Sequence, residues 1–190
     1  SKYKLLFGDK FVVFSPETFV SIDEGGTIKT FPMKGTIDAS SPNAYSLLMD
    51  DKKEQAEHAT VVDLLRNDLS KVAHNVRVTR YRYIDEIVTS KGTILQASSE
   101  IEGICNGNWR SNIAEILMAM LPAGSVTGAP KTRTVEIIKD VETHLRGFYT
   151  GIFGIFDGKS LDSAVMIRYI ENRDETLYYK SGGGITFLSN

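Results

Sequence analysis

One cysteine in 190 residues, Cys105, excludes an internal disulfide, so the fold has to rest on packing alone. Cys105 itself reads as a loop or core thiol. Histidine is almost as scarce: His58, His74 and His144 lie far apart and show no zinc-ligand spacing. Charge of one sign is missing too. The 22 basic side chains against 24 acidic ones leave a net charge of -2, which gives no electrostatic footprint for nucleic acid or an anionic membrane. No long apolar run, leader-like start or internal repeat appears in a chain that opens SKYKLLFGDK, and a reducing cytoplasm is the expected location. With 42% hydrophobic and 24% charged residues, the composition is that of a soluble globular chain able to build one sizeable core, as one domain or most of one.

Glycine and proline concentrate in one place. The stretch PAGSVTGAPK, 122–131, holds Pro122, Gly124, Gly128 and Pro130, a density that breaks regular structure and lets backbone approach its surroundings closely. An apolar helix is expected over 108–121, with Ile113, Ile116, Leu117 and Met120 at helical spacing. An amphipathic helix should leave the loop, with Pro130 in its first turn and Val135, Ile137, Ile138 and Val141 on its apolar face. The loop is then held rigidly between two helices. Three residues separate its glycines and no Gly-Lys-Ser/Thr follows, so it is not a nucleotide-binding P-loop. Lys131 opens the outgoing helix, where its charge opposes the helix dipole, and reads as solvent-exposed.

Elsewhere, FVVF at 11–14, the segment Thr18–Ile22 and a third strand from Thr27 form a meander around Ser15-Pro16 and the turn Asp23-Glu24-Gly25-Gly26. The third strand ends in FPMKGT, placing Lys34 at a strand end beside Gly35. A helix follows over 52–69, with Asp51 and Glu54 at capping-box spacing and Ala56, Val61, Leu64 and Leu65 as its core face. Glu54 and Glu57, three apart, project from one side of it, a placement that suits carboxylates converging on a hard cation. Arg66, Asn67 and Asp68 read as scaffold at the helix end. Strands are expected over 75–84 and 93–101, then a hairpin around Asp157-Gly158, and a last strand Thr176–Lys180 that runs into Ser181-Gly182-Gly183-Gly184.

The loop with the TRTVEIIKDVE helix behind it, together with Ser-Pro-Glu, Lys-Gly-Thr, Ala-Glu-His and VDLLRND, resembles the chorismate-utilising enzymes, whose members include anthranilate, aminodeoxychorismate, isochorismate and salicylate synthases. The likeness extends over nearly all of the chain. It implies an α+β fold of antiparallel β-sheets packed face to face with helices outside and a cleft between the two halves, here one partial catalytic domain, 1–190, incomplete at both ends. Glu17 then matches the general acid for the departing ring hydroxyl. Lys34 matches the covalent nucleophile of many aminodeoxychorismate synthases, where anthranilate and isochorismate synthases carry alanine, and Thr36 matches the adjacent substrate-contacting threonine. Glu57 matches a magnesium ligand and Glu54 its helper, direct or through water. Tyr149 and Arg168 align with residues that bind substrate carboxylates, as a guanidinium fork can. Gly182, Gly183 and Gly184 would offer backbone N–H groups to a carboxylate. One departure stands out: relatives' His-Leu-Val-Ser is Glu86-Ile87-Val88-Thr89 here, which leaves Glu86 without an assigned role.

What the resemblance implies for activity is amination of chorismate to 4-amino-4-deoxychorismate, with Mg2+ as cofactor and ammonia delivered by a separate glutamine amidotransferase subunit. Neither nucleic acid nor membrane is an expected partner. Another reaction of the family, chiefly anthranilate synthesis, is the alternative, and a catalytically inactive binding fragment is the alternative of another class.

Overall fold

The structure, a computed structural model, describes residues 1–185. Short N-terminal strands β1 (Leu5–Phe7) and β2 (Phe11–Val13) form a hairpin. After Ser15-Pro16 come β3 (Thr18–Ile22) and β4 (Thr27–Thr30), turned at Asp23, whose carboxylate accepts from the Thr27 N–H at 2.9 Å. The expected third strand is cut in two at Pro32, which has no N–H to donate. Its second half is β5 (Met33–Asp38), and both halves lie along one partner strand further on. Lys34 therefore opens a strand instead of ending one, on a bulge where pairing shifts between Met33 and Thr36.

Two helices follow. α1 (Ala44–Asp50) is a short helix with no forecast in the sequence pattern. α2 (Lys52–Ser70) starts at Asp51, whose side chain accepts from the Glu54 N–H, as the capping spacing requires. Its buried positions are His58, Val62, Leu65, Asp68 and Leu69, whereas Ala56 is exposed. The expected pair of strands is longer than periodicity suggested: β6 (Ala73–Thr89) and β7 (Gly92–Cys105) make one long hairpin. Glu86 lies inside β6, opposite Leu95 and exposed. A 3-10 turn, Trp109–Ser111, precedes α3 (Ile113–Met120), and the glycine-rich loop contains one helical turn, α4 (Gly124–Thr127), before α5 (Lys131–Val141), with Pro130 as N-cap. The hairpin β8 (Ile152–Phe156) and β9 (Leu161–Val165) is followed by β10 (Tyr169–Arg173) and β11 (Thr176–Lys180).

The strands form two antiparallel sheets. One has the order β1-β2-β10-β11; the other runs β5-β7-β4-β3-β9-β8, with β6 paired to β7. The largest apolar cluster lies between this second sheet and the helices: Val20, Ile22, Ile28 and Ile101 meet Val62, Leu65 and Leu69 of α2 and Met120 of α3. Cys105 belongs to that core, where burial pushes its thiol up to about 11. A smaller cluster, Phe11, Val13, Met166 and Tyr169, joins the first sheet to Phe153 of β8. Among the described residues no single helix is long and apolar enough to cross a membrane.

The outgoing helix α5 has no buried residue, and Ile137 and Val141 are 45% and 67% exposed. Its apolar face therefore does not hold the loop. An ion pair does. Lys131 Nζ lies 2.5 Å from Asp68 Oδ2 and donates to the Met120 carbonyl at 2.8 Å, tying both ends of the loop to α2. Lys131 is thus an internal anchor, 15% exposed at its side chain, and not the solvated residue expected. Asp68, as scaffold, also takes Lys71 at 2.8 Å. Gly124 is the close-approach residue: a Cβ there would stand 3.1 Å from Asp68 Oδ2 and from two Leu64 carbons. Removing one member of a buried pair strands the other charge. Lys131→Met should accordingly lower the free energy of unfolding by about 2–4 kcal/mol in urea denaturation, and a loss below about 0.5 kcal/mol would mean the pair behaves like an exposed one.

Candidate active site

Glu17 leaves Ser15-Pro16 at the start of β3 and is fixed at its backbone. Its N–H donates to Ser15 Oγ at 3.1 Å and its carbonyl accepts from the Val165 N–H of β9 at 3.2 Å. Its carboxyl accepts from the Ser125 hydroxyl on α4. Burial raises the Glu17 pKa, the Ser125 hydrogen bond opposes this, and burial wins. A carboxyl biased toward its protonated form in a cleft suits a proton donor.

Lys34 projects from the β5 bulge toward α2, where its Nζ lies 2.8 Å from Glu57 Oε2; the two side chains are 33% and 12% exposed. Beside it Gly35 has φ +89°, a conformation that favours glycine, and a Cβ there would meet Glu54 Oε2 and Leu48 Cδ1 at 3.0 Å each. Leu48 belongs to α1, whose last carbonyls, Leu48 and Met49, accept from the buried Arg82 guanidinium at 3.0 Å each. Under Lys34 lies His58, fully buried, with Nε2 2.7 Å from Ser99 Oγ. Ser99 Oγ also accepts from the Arg82 N–H at 2.9 Å. His58 Nδ1 is turned to the Lys34 backbone but falls short of a full hydrogen bond.

Glu54 Oε2 is buried without a hydrogen-bond partner, the condition of an acceptor that suits a cation. Glu54 and Glu57 together match the one or two protein carboxylates that magnesium commonly takes, the rest of its shell being water and substrate. Among the described residues no cluster of three or more His, Cys, Asp or Glu side chains could hold a metal ion. These two carboxylates fit magnesium as part of a site.

The other wall comes from the segment after α5 and from the chain beyond β11. A cleft of about 270 Å³ brings Glu17 and Ser125 together with Arg146, Tyr149, Gly182, Gly183 and Gly184. The glycine segment reaches along it: a Cβ on Gly182 would lie 3.2 Å from the Tyr149 hydroxyl, and one on Gly184 3.9 Å from Lys34 Nζ. Lys180, at the end of β11, donates to the Arg146 carbonyl at 2.9 Å and pairs with Glu171 at 3.0 Å, which anchors the segment's start. Eight of the ten residues singled out in the sequence thus share one continuous site.

Two do not. Arg168 lies off the strands, at the crossover from β9 to β10, with φ +52° and its side chain exposed; it is not among the residues lining the cleft. The alternating pattern that suggested a strand arginine breaks because the chain changes sheets there. Thr36 is exposed on β5, its hydroxyl accepting weakly from Gln96 at 3.4 Å. Conversely, Ser125 and Arg146 were missed. Ser125 lay in plain view inside the glycine-rich loop, but no rule of spacing marks a serine there. Arg146 is held bidentately by Glu142 at 2.8 and 2.5 Å, and that pairing raises its pKa and lowers that of Glu142. A larger hollow, about 840 Å³, lies elsewhere, on the outer face of α2 between Thr60, Asn67 and Pro130. It gathers none of these groups, so size is a poor guide to the site.

The sequence and the fold have known relatives. The sequence pattern of the chorismate binding enzymes matches residues 2–190. An uncharacterised PabA-like protein of Pasteurella multocida is 58% identical over 187 residues, 98% of this chain and 57% of its own length. Anthranilate synthase component 1 of Aeropyrum pernix is 34% identical, covering 98% of this chain and 43% of that protein. The crystal structure of anthranilate synthase component I from Streptococcus pneumoniae superposes with a TM-score of 0.83 at 31% identity, over 99% of this chain and 42% of that one. The chain therefore spans about half the length of the relatives it matches, and its antiparallel sheets are those of that fold.

The buried histidine yields a pH prediction. Burial and the Arg82 charge, against a small opposing effect of the Lys34 backbone, pull the His58 pKa from 6.5 to about 4. Between those values the unfolded chain binds a proton that the folded one refuses, so stability is complete above the unfolded pKa and declines as pH falls toward the folded one. The loss by pH 4 should be about 3 kcal/mol. Denaturation midpoints from pH 7 to 4 should fall more steeply for the parent than for His58→Gln. Parallel slopes would mean that the imidazole is not held neutral.

Proposed function

The chain belongs to the chorismate-binding enzymes, and from that membership we propose that residues 1–190 are a single, partial catalytic domain of a cytoplasmic 4-amino-4-deoxychorismate synthase. It would serve p-aminobenzoate and folate formation, using ammonia from a separate glutamine amidotransferase. The observation that carries this reading is Lys34: a lysine on a bulge, ion-paired to Glu57 and beside the glycine segment, stands where a nucleophile for the ring could act.

The substrate is a dianion, so its carboxylates require compensation before anything else. Exposed backbone N–H groups of Gly182, Gly183 and Gly184, with the Tyr149 hydroxyl, suit one of them. Glu54 and Glu57 would hold magnesium, which when bound neutralises carboxylate charge and draws electrons from the ring. Arg168 would have to turn in from the rim to join them; Thr36 borders Lys34 on the same strand. The Lys34 pair with Glu57 opens, leaving that carboxylate for the metal, and on substrate binding the ammonium proton passes to Glu17, which carries it to the departing hydroxyl. The free amine adds to the ring carbon next to the carboxylate-bearing one, the ring double bonds shift, and the hydroxyl leaves as water with a proton from Glu17. Ammonia then attacks the vacated carbon, and the reverse shift expels the Lys34 amine. Glu86, exposed near the end of β6, has no part in this sequence of steps.

The likeness to anthranilate synthases favours a second reading, in which ammonia attacks the ring beside the carboxylate directly and Lys34 is an electrostatic helper. One experiment separates the two. The full-length protein, given chorismate and magnesium without ammonia, should accumulate a covalent adduct on the Lys34 peptide, seen by mass spectrometry. Lys34→Ala should lose both the adduct and 4-amino-4-deoxychorismate formation, and undiminished product from that variant would refute the covalent route.

A further inference from the structure

The glycine-rich loop is built to a tighter specification than a corner between helices needs. Gly124 is packed against Leu64 and Asp68, Lys131 closes on Asp68 and the Met120 carbonyl, and the single turn α4 between them points Ser125 at Glu17. The Glu17 backbone is fixed independently by Ser15 and β9. Its carboxyl is not: among the described residues the Ser125 hydroxyl is its one hydrogen-bond donor, and it reaches Oε1 alone.

We propose that Ser125 is the positioning residue of the acid, its hydroxyl engaging one oxygen of the Glu17 carboxyl so that the proton is carried on the other, Oε2, and is delivered into the cleft. A hydroxyl that donates to Oε1 makes that oxygen the acceptor and Oε2 the site of protonation. It also fixes the plane of the carboxyl, which a free glutamate side chain would sample widely, and orientation of this kind is a large part of what a catalytic group contributes. The same bond favours the ionised form, so it moderates the rise that burial imposes and lets Glu17 be regenerated as well as discharged. The other groups that line this cleft, Glu142, His144, Arg146 and Tyr149, lie on the segment after α5; Arg146 is already committed to Glu142. Gly124 and the Asp68–Lys131 pair acquire a purpose on this view, since a loop free to shift would carry the hydroxyl away from the acid.

The inference rests on Glu17 as the acid and not on Lys34 as the nucleophile, and its test keeps the two apart. In the full-length protein, with glutamate carboxyls labelled with 13C and the Glu17 signal assigned by its absence in Glu17→Gln, Ser125→Ala should move the Glu17 titration to higher pH without any substrate. With chorismate and ammonia the same variant should lose roughly ten- to a hundredfold in kcat with little change in KM. The alkaline limb of its rate profile should move upward with the Glu17 titration, because the acid must be protonated to act. Ser125→Thr, which keeps the hydroxyl, should restore titration, limb and rate. A Glu17 titration unmoved in Ser125→Ala, or a shifted titration with undiminished kcat, would overturn the proposal. Loss of the Lys34 adduct with the Ser125 effects intact would count against the nucleophile and leave the acid's positioning standing.

Discussion

The cleft depends on one buried ion pair, Asp68 with Lys131. Taking two charges out of water costs several kcal/mol per ion, and such a pair is sustained only when its geometry is good and its neighbours help. Here Lys71 supplies a second cation to Asp68, and the Met120 carbonyl takes a hydrogen bond from Lys131. What the pair gives in return is place more than stability. It ties the end of α3 and the start of α5 to the last turns of α2, and the loop between them can then present a serine to a carboxyl that comes from a different sheet strand.

Much of the fold was legible because it rests on local chemistry. The capping aspartate of α2, the turn at Asp23 and the hairpin at Asp157 each follow from side chains that bond their own neighbouring backbone. The errors came where backbone bends carry no hydrophobic signature. Pro32 divides one apparent strand into β4 and β5, and the change of sheet at Met166–Arg168 interrupts an alternation that reads as continuous. The apolar stripe of α5 is real in sequence but stays largely exposed among the described residues, so amphipathicity alone misjudged what anchors the loop. Lys131 shows the reverse: a lysine that composition assigns to the surface is internal because a charge 63 positions away in the chain awaits it, a partner that no local pattern reveals.

The candidate site shows the same division. Glu54 and Glu57 could be paired from helical spacing, but that Glu57 faces Lys34 across two elements could not, nor could the orphaned oxygen of Glu54 beside Gly35. The two acidic groups Glu17 and Glu57 stand in different surroundings. Glu17 is pressed toward protonation by burial, with one hydroxyl to moderate it, while Glu57 stands 2.8 Å from the Lys34 ammonium. A site that must both donate a proton and offer an anion to a cation needs this separation.

The central claim is that Glu17, Lys34, Tyr149 and the segment Gly182 to Gly184 face a single bound substrate. Backbone amide shifts of this chain, followed by NMR as chorismate is added in the presence of magnesium, test it directly. The account predicts the largest changes at Glu17, at Lys34 and Gly35, at Tyr149 and along Gly182 to Gly184, with little at Thr60 or Asn67. Saturable changes centred instead on the outer face of α2, around the large hollow at Thr60, Asn67 and Pro130, would contradict it.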